Sequence, residues 1–550
     1  TFTIGELGSG LSFALALTPL GMIYALVAAS LWILNTIYSY GYMHGLYGKD
    51  FEGQERYWCA FAMAILSAMG IAFSANMLTL FLFYEVMTFS TWPLVTHTRK
   101  PEAKRSGRIY LGILVGSSTL FMLTATLLTW VWTGTLDFRE GGILSGSTTA
   151  GQAAILILLF FFGTGKTAIF PLHQWLPNAM VAPTPVSALL HAVAVVKAGV
   201  FTVLKISTEL VGTSVMQGSW GAEVVAWFAA GTILLTSIIA LTRPELKARL
   251  AYSTIGQLNY IVLGAAVAFP MAIEGGALHI AMHAYGKITL FFAAGAIYVA
   301  SHKTRVDQLD GIGKRMPWTM TAFMIGSLST LGLPPMGGTW SKWLLCVGMI
   351  EAHQWAFLIT LLLSTLLGLG YLLPIPVRAF FAKEKVGSGV TGYEDHGESP
   401  WACRIPLLLS SAATTERHGT HVRKHPALLL EERPSFALRY NSSTPFLGLQ
   451  RNSTLRVLKA AAETPGETSS VLLTPDAIAA AGGLDDDPSI KRQSTMKVCR
   501  SPGAAGSSPT QGPTQWTPAA PQDRDRSSPP LSARRQRGRP TRTHPAVSYR

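Results

Sequence analysis

A row of titratable side chains recurs every four residues in the apolar stretch HIAMHAYGKITLFF. His279, His283 and Lys287 would lie on one face of a helix, along about two turns. Imidazole and amine groups take up and release protons, so this row predicts a proton relay. His-x-x-x-His is also a zinc-binding spacing, but no third ligand is evident. Structural histidines packed in a core are the other alternative.

Five further ionisable residues stand alone in apolar surroundings. They are Glu85 in LFLFYEVMTFSTWPL, Lys166 in LLFFFGTGKTAIFPL, His191 and Lys197 in SALLHAVAVVKAGVF, and Lys342 in GGTWSKWLL. A charge near the centre of a bilayer costs about 2.5–3.5 kcal/mol on insertion scales. Because such residues are expensive, they predict a functional pathway, and together with the histidine row they predict a chain of proton carriers.

The carboxylate of Glu85 and the amine of Lys166 suggest a working pair. A lysine buried in a low dielectric loses its proton more easily, and a nearby carboxylate opposes that loss. We therefore expect the two side chains to face each other across adjacent helices, so that small movements let Lys166 exchange a proton. A static ion pair that holds two helices together is the alternative.

The elements that must carry these residues are apolar. Hydrophobic residues make up 49% of the chain and charged residues 13%, and the mean hydropathy is +0.32. About eleven segments are long enough to cross the hydrocarbon of a bilayer, and continuous runs of this kind form helices. The predicted fold is all-α, a polytopic membrane protein. The predicted spans lie near 13–40, 57–75, 77–97, 108–132, 151–177, 185–206, 222–242, 250–269, 276–300, 316–352 and 355–381.

Positive charge is concentrated in alternate loops. Lysines and arginines crowd the loops near 99–108, 243–249, 303–315 and 383–385, and the loops between them carry almost none. By the positive-inside rule the basic loops are cytoplasmic. This alternation predicts a multi-pass protein of the cell inner (plasma) membrane.

Prolines interrupt two of the spans. The first contains Pro171 and Pro177, and the second contains Pro334 and Pro335. Proline removes a backbone donor and breaks the helix. Broken helices in corresponding places of two halves indicate an inverted-repeat transporter. Prolines that are merely tolerated in membrane helices are the alternative.

These patterns divide the chain into five regions. Residues after about 401 are rich in Ala, Arg, Pro, Ser and Thr, a composition typical of disorder. A basic arm that binds nucleic acid or anionic lipid and an out-of-frame or fused sequence are the two interpretations, and the abrupt change favours the second. The predicted regions are an N-terminal helix and loop of a truncated start (1–56), a first repeat (57–206), a second repeat (207–381), a cytoplasmic segment (382–400) and a disordered basic tail (401–550).

The four cysteines are scattered, without the spacing of a metal site or a disulfide framework. Cys59 and Cys346 lie in apolar runs and are expected to be packing residues. No phosphate loop, haem ligand pair or dinucleotide fingerprint is present. We therefore expect no cofactor, no metal and no redox chemistry in this chain.

Several long motifs occur together in order. GTGKTAIFPLHQWLPNAMVAPTPVSALLHAVAVVKAGVF, RPELKARLAYSTIGQLNYIVLG, HAYGKITLFFAAGAI and GLPPMGGTWSKWLL resemble the proton-conducting, antiporter-like membrane subunits. That family occurs in respiratory complex I, membrane-bound hydrogenases and Mrp/Mnh-type sodium/proton antiporters. The resemblance covers about residues 10–400. FYEVMTFSTWPLVTH and RSGRIYLGILVGSS are most similar to the D-type subunits of the Mrp/Mnh antiporters.

The resemblance implies a role for each candidate residue. Glu85 matches the membrane glutamate that pairs with the lysine of the first broken helix, here Lys166. His191 and Lys197 match the positions that pass the proton onward. The central relay matches His279, His283 and Lys287, and the exit matches Lys342. Such subunits have fourteen helices in two inverted five-helix repeats, so this chain would begin at the third helix and lose the fourteenth near residue 401.

The expected function is proton translocation within a multisubunit monovalent cation (sodium)/proton antiporter. The expected partners are the other subunits, the lipid bilayer, protons and sodium, with no nucleic acid. A proton-pumping subunit of an NADH–quinone oxidoreductase or hydrogenase complex is the alternative, with the redox chemistry in partner subunits. A non-conducting scaffold with static charge pairs is a third.

Overall fold

Long helices account for most of the chain in the computed structural model, which describes residues 1–8, 11–48, 50–383 and 397–415. A two-stranded hairpin, β1 (Phe2–Gly8) and β2 (Leu11–Leu15), precedes them. The helices are α1 Pro19–Tyr47, α2 Gln54–Ala72, α3 Met77–Val95, α4 Pro101–Thr133, α5 Ala150–Gly163, α6 Thr184–Val211, α7 Trp220–Thr242, α8 Leu246–Val267, α9 Pro270–Ser301, α10 Pro317–Leu331, α11 Gly337–Glu351, α12 Trp355–Phe381 and α13 Trp401–Ala413. Helix α4 contains a π-helical turn at Ser118–Leu123, and α6 contains two, at Leu189–Val193 and Ile206–Val211.

Eight of these helices are long and apolar enough to cross a membrane, within the part of the chain that the structure describes. They are α1, α3, α4, α6, α7, α8, α9 and α12. The other helices are shorter or less apolar. The prediction of an all-α, polytopic membrane protein is thus confirmed, apart from the short hairpin at the start.

The hairpin corrects the first predicted span, whose expected start is residue 13. Strand β2 occupies Leu11–Leu15, and α1 begins only at Pro19. Thr18 caps the helix, because its hydroxyl accepts a hydrogen bond from the Gly21 N–H at 3.1 Å. Pro19 is at the first helical position, where its missing N–H is not needed.

Both predicted breaks lie at the prolines. After α5 ends at Gly163, the chain continues through short turns and the four-residue helix Trp175–Asn178 until α6 begins. The span predicted over 316–352 is instead two helices, α10 and α11. Gly332 ends α10 in the left-handed conformation, at a φ of 80°, and Pro334 and Pro335 follow before α11 starts.

The boundary at residue 401 needs a correction. The sequence predicts a disordered tail over 401–550, but Trp401–Ala413 forms helix α13, with Cys403 and Leu407 fully buried. This helix packs closely on α1, since a Cβ added at Gly41 would lie only 2.6 Å from Cβ of Ala402. The rest of the predicted tail, 416–550, lies outside the described residues, as does 384–396.

Three helices form the interior of the bundle. The apolar stretch of α6 is completely buried, and those of α8 and α9 are about nine-tenths buried, whereas the other long apolar helices are half-buried or less. Helices with one exposed apolar side suit contact with lipid or other subunits. The interior helices α6 and α9 carry five of the eight candidate residues, so these residues are shielded from lipid.

Candidate functional site

The first break holds Lys166 against helix α3. Its wholly buried amine donates hydrogen bonds to the Tyr84 carbonyl oxygen at 2.7 Å and to the Thr88 hydroxyl at 2.8 Å. The same amine lies 3.0 Å from the centre of the Tyr84 ring, and the Lys166 N–H donates to the Tyr84 hydroxyl. Two neutral oxygens and an aromatic face therefore surround the amine.

Glu85 lies beside this site but does not bond to the lysine. Both of its carboxylate oxygens are buried and accept no hydrogen bond within the described part of the chain. Lys166 contacts α3, the helix that carries Glu85, but its direct partners are Tyr84 and Thr88, on either side of Glu85 in the sequence.

A glycine lets α6 approach the first break. A Cβ added at Gly199 would lie 2.7 Å from the carbonyl carbon of Lys166 and 2.9 Å from its Cβ. Only a residue without a side chain permits that approach. Lys197, two residues earlier on α6, is consequently held in the same region of the bundle as Lys166.

Lys197 connects α6 to α9. Its buried Nζ lies 2.7 Å from Nδ1 of His283, within hydrogen-bonding distance. The His283 ring stacks near the His279 ring, with 5.6 Å between centroids and a 20° angle between planes. His279 continues the series, because its Nδ1 lies 2.8 Å from the Ser341 hydroxyl on α11. The predicted histidine row is thus on one buried face of α9.

The third member of the row, Lys287, faces α8. Its Nζ donates to the Ser253 hydroxyl at 2.7 Å, and the Tyr371 hydroxyl lies 3.1 Å from the same oxygen. The row therefore divides: His279 and His283 face Lys197 and Ser341, and Lys287 faces a separate hydroxyl pair one turn further along the helix.

Lys342 uses the second break. Its Nζ donates to the Leu331 carbonyl oxygen at 3.1 Å. That carbonyl is at the C-terminal end of α10, where the last turn leaves backbone acceptors free and the helix dipole is negative. The amine also lies 5.0 Å from the centre of the Tyr260 ring, which in turn stacks 5.9 Å from the His279 ring. The second break is thereby next to the histidine row.

His191 is fully buried in the first π-helical turn of α6. Neither ring nitrogen has a hydrogen-bond partner in the described chain, and its ring lies 4.7 Å from that of Phe291. Unpartnered buried polar groups are rare in native structures and point to water or to a functional role.

Sequence reasoning missed several polar partners. The hydroxyls of Thr88, Ser253, Ser341 and Tyr371 complete the lysine and histidine contacts, and nothing in their local sequence distinguishes them from other serines, threonines and tyrosines.

A buried ion pair on α6 was also missed. Nζ of Lys205 lies 3.0 Å from the Glu209 carboxylate, and the i, i+4 spacing in LKISTEL was an available signal.

The cysteines are only partly as predicted. Cys346 is half-buried, but Cys59 is exposed on α2, so the prediction that Cys59 is a packing residue was wrong. Its apolar neighbours in the sequence reflect an exposed helix face in a membrane protein rather than a core. The described residues include no group of three or more His, Cys, Asp or Glu side chains that could hold a metal ion.

Comparison with known proteins agrees with this architecture. The family described as "NADH:quinone oxidoreductase/Mrp antiporter, TM" matches residues 74–368, more than half of the chain. The chain is 32% identical over 371 residues to NADH-quinone oxidoreductase subunit N of Desulforudis audaxviator, covering 66% of this chain and 72% of that protein. It is 34% identical over 342 residues to NAD(P)H-quinone oxidoreductase chain 5 of Synechocystis, covering 59% of this chain and 48% of that protein.

Solved structures share the fold. A subunit of the archaeal membrane-bound sulfane sulfur reductase superposes with a TM-score of 0.66 at 22% identity, covering 78% of this chain and 84% of that one. A subunit of the Mrp complex from Dietzia gives the same TM-score at 20% identity, covering 78% and 85%. Because the family model matches more than half of the chain, the chain belongs to the NADH:quinone oxidoreductase/Mrp antiporter transmembrane family, and it is an antiporter-like, integral membrane subunit. It spans about half the length of the chain 5 relative.

Proposed function

We propose that this chain conducts protons across the membrane as one subunit of a multisubunit complex. The observation that carries the proposal is the contact between Lys197 and His283, flanked by His279 and Ser341. An amine 2.7 Å from an imidazole nitrogen can hand over a proton without either group moving far. A purely structural pair in a membrane interior would more naturally join opposite charges.

The pathway that we propose uses all eight predicted residues. Protons would pass between the first break and the second through the buried groups of α6 and α9. Lys166, next to Glu85, would carry the proton at the first break, and His191 and Lys197 would pass it on. His279, His283 and Lys287 would form the central relay, and Lys342 would release the proton at the second break. Residues 57–206 and 207–381 would then be the two half-channels.

The coupled process has two candidates. In the first, the chain belongs to a sodium/proton antiporter, in line with its likeness to the Mrp complex and with the motifs near Glu85. In the second, it belongs to an NADH–quinone oxidoreductase, in line with the names of its relatives. Redox chemistry would then belong to other subunits of that complex.

The experiment that tests this proposal compares driving forces. The chain is expressed with its neighbouring subunits in a host that lacks its own antiporters, and everted vesicles are given a sodium pulse or an NADH pulse while lumenal pH is followed. Sodium-dependent proton movement supports the antiporter, and NADH-dependent movement supports the oxidoreductase. Lys166→Ala, at matched membrane levels, should abolish whichever signal is present.

The outcome that contradicts the proposal is equally definite. Proton movement that Lys166→Ala leaves unchanged would mean that Lys166 is structural and that the pathway is wrong. A Lys166→Ala variant that fails to assemble, while the control Lys104→Ala, at an exposed position in the first turn of α4, assembles normally, would favour a scaffold. Lys104 is exposed, so its replacement should affect neither assembly nor transport.

A further inference from the structure

Helix α1 carries buried polar residues that the proposed pathway does not use. Asn35, Ser39 and Tyr42 are spaced by four and three residues, so they lie on one helix face. Asn35 and Ser39 are fully buried and Tyr42 is almost so. We call these three residues the α1 polar stripe. Polar residues at this depth face the bundle interior and often mark an ion or proton path.

One end of the stripe approaches the face that carries the basic loops. The Ser39 hydroxyl lies 2.5 Å from the Tyr57 hydroxyl. The Tyr57 ring contacts the ring of His97 edge-on, with 5.2 Å between centroids. His97 follows the end of α3, and the neighbouring loop carries Arg99 on the side predicted to be cytoplasmic.

His97 is a titratable group at the outer end of the stripe. Burial lowers the pKa of its imidazole below the usual value, and the charges of Arg56 and Arg99 lower it further, against an opposing contribution from Glu52. Its Nδ1 has no hydrogen-bond partner among the described residues. A neutral imidazole with one free ring nitrogen can therefore exchange a proton with the aqueous side.

The other end of the stripe approaches α6. Asn35 donates from Nδ2 to the Pro185 carbonyl at 3.2 Å, while its Oδ1 is buried without a partner in the described chain. His191 lies six residues after Pro185 on the same helix, and both of its ring nitrogens are also unpartnered there. A buried polar group without a hydrogen bond is destabilising, and buried water commonly supplies the missing partner.

The register of α1 against α6 places His191 beyond Asn35. The two helices run antiparallel: Thr184 donates to the Tyr42 hydroxyl at 3.2 Å, and Tyr24 donates to the Ala194 carbonyl at 3.2 Å. His191 is therefore level with the part of α1 between Asn35 and Tyr24. A path along the stripe, from Tyr42 to Asn35, leads toward His191.

We propose that the α1 polar stripe is the route by which protons reach His191 from the cytoplasmic face, with Asn35 as its innermost residue. The proton would pass from His97 by way of water to the hydroxyls of Tyr57 and Ser39. From Asn35 it would continue along a file of water molecules to His191, which lies six residues, about 9 Å of helix, beyond Pro185. This inference rests on the proposed proton conduction. The competing role for the stripe is polar packing between helices.

The first test uses proton movement in everted vesicles that contain the whole complex. Asn35→Leu should slow the initial rate about tenfold or more at matched assembly, because it removes the polar link. Asn35→Ser should retain most of the rate, since it keeps a polar group. Thr36→Val is the matched control: the Thr36 hydroxyl is half-buried on the same helix and bonds its own backbone at Trp32, so the rate should not change.

The second test does not depend on transport. With the native cysteines replaced by serine, Asn35→Cys should react with silver ions applied to the cytoplasmic face, and Ala25→Cys should react much more slowly. Both positions are buried on α1, but Ala25 lies off the face that carries the stripe and beyond the level of His191. Equal reactivity of the two cysteines would overturn the route, as would an unchanged rate in Asn35→Leu. If the wild-type complex moves no protons, the proposed function fails, and the silver test still decides whether the route exists.

Discussion

The Nζ of Lys197 and the Nδ1 of His283 lie 2.7 Å apart, on two helices that are both buried in the centre of the bundle. The residues are 86 positions apart in the sequence, and each belongs to an apolar helix. No carboxylate lies within ion-pairing distance of either group in the described chain. An amine and an imidazole in such surroundings form a pair that can share a proton.

Thr88→Val should weaken transport without affecting assembly. The substitution removes the hydroxyl that accepts a hydrogen bond from Lys166 at 2.8 Å and keeps the shape of the side chain. The Tyr84 carbonyl remains as a partner, so we expect a partial loss of rate rather than complete inactivation. The measurement is the initial rate of proton movement at matched levels of complex. An unchanged rate would mean that Thr88 does not support the amine.

Gly199→Ala should destabilise the protein, although alanine favours helices. The new Cβ would lie 2.7 Å from the Lys166 carbonyl carbon, and this contact is with backbone that cannot easily move. Overpacking of this kind costs about 1–3 kcal/mol. The measurement is the thermal unfolding midpoint in detergent.

The control for this prediction is Gly112→Ala on α4, where an added Cβ would meet nothing within 4 Å. That substitution should leave the midpoint unchanged or raise it, because alanine is favoured over glycine in a helix by about 0.5–1 kcal/mol. Equal midpoints for the two variants would argue against the close approach of α6 to the first break.

Ser341→Ala should impair the central relay. The His279 Nδ1 would lose its partner at 2.8 Å and would be left buried without a hydrogen bond, at a cost of about 1–3 kcal/mol. The initial rate of proton movement, measured at matched levels of complex, should fall well below that of wild type, since His279 would no longer hold a fixed orientation beside His283. Ser341→Thr keeps the hydroxyl and should restore most of the rate. If the threonine and alanine variants are equally impaired, the hydroxyl has no role.

Glu209→Gln should destabilise the protein by about 3 kcal/mol, because it leaves the buried Lys205 amine without its carboxylate. A double variant in which Lys205→Met accompanies Glu209→Leu should recover much of that loss, since it removes both charges together. The measurement is again the thermal midpoint in detergent. A double variant that is less stable than Glu209→Gln alone would show that the pair does more than neutralise Lys205.

The sequence alone predicted the membrane class, the helical fold and the two breaks, because long apolar runs and prolines have direct physical consequences. The spacing of His279, His283 and Lys287 correctly placed them on one helix, since local periodicity determines which residues share a face. Sequence could not show that Lys197 meets His283, or that Lys166 bonds Tyr84 and Thr88 rather than Glu85. Those contacts depend on which helices are neighbours.

Helix α13 was missed for a related reason. Trp401–Ala413 is too short to be predicted as a membrane span, and its neighbour in the sequence has the composition of a disordered tail. Its burial comes from packing on α1 at Gly41, which no local pattern indicates. Cys59 shows the opposite error, because in a membrane protein an apolar neighbourhood does not imply a buried position.

The most direct test of the central claim is the effect of His283→Phe on proton movement. Phenylalanine keeps a buried aromatic ring of similar size beside Lys197 and His279 but cannot carry a proton. The variant, wild type and the control Lys104→Ala, at an exposed position of α4, are compared in everted vesicles at equal levels of assembled complex. We expect His283→Phe to assemble and to lose at least about nine-tenths of the proton movement, because the substitution removes a proton-transferring group. A rate equal to that of wild type would show that protons do not pass through the Lys197–His283 contact, and would contradict the account.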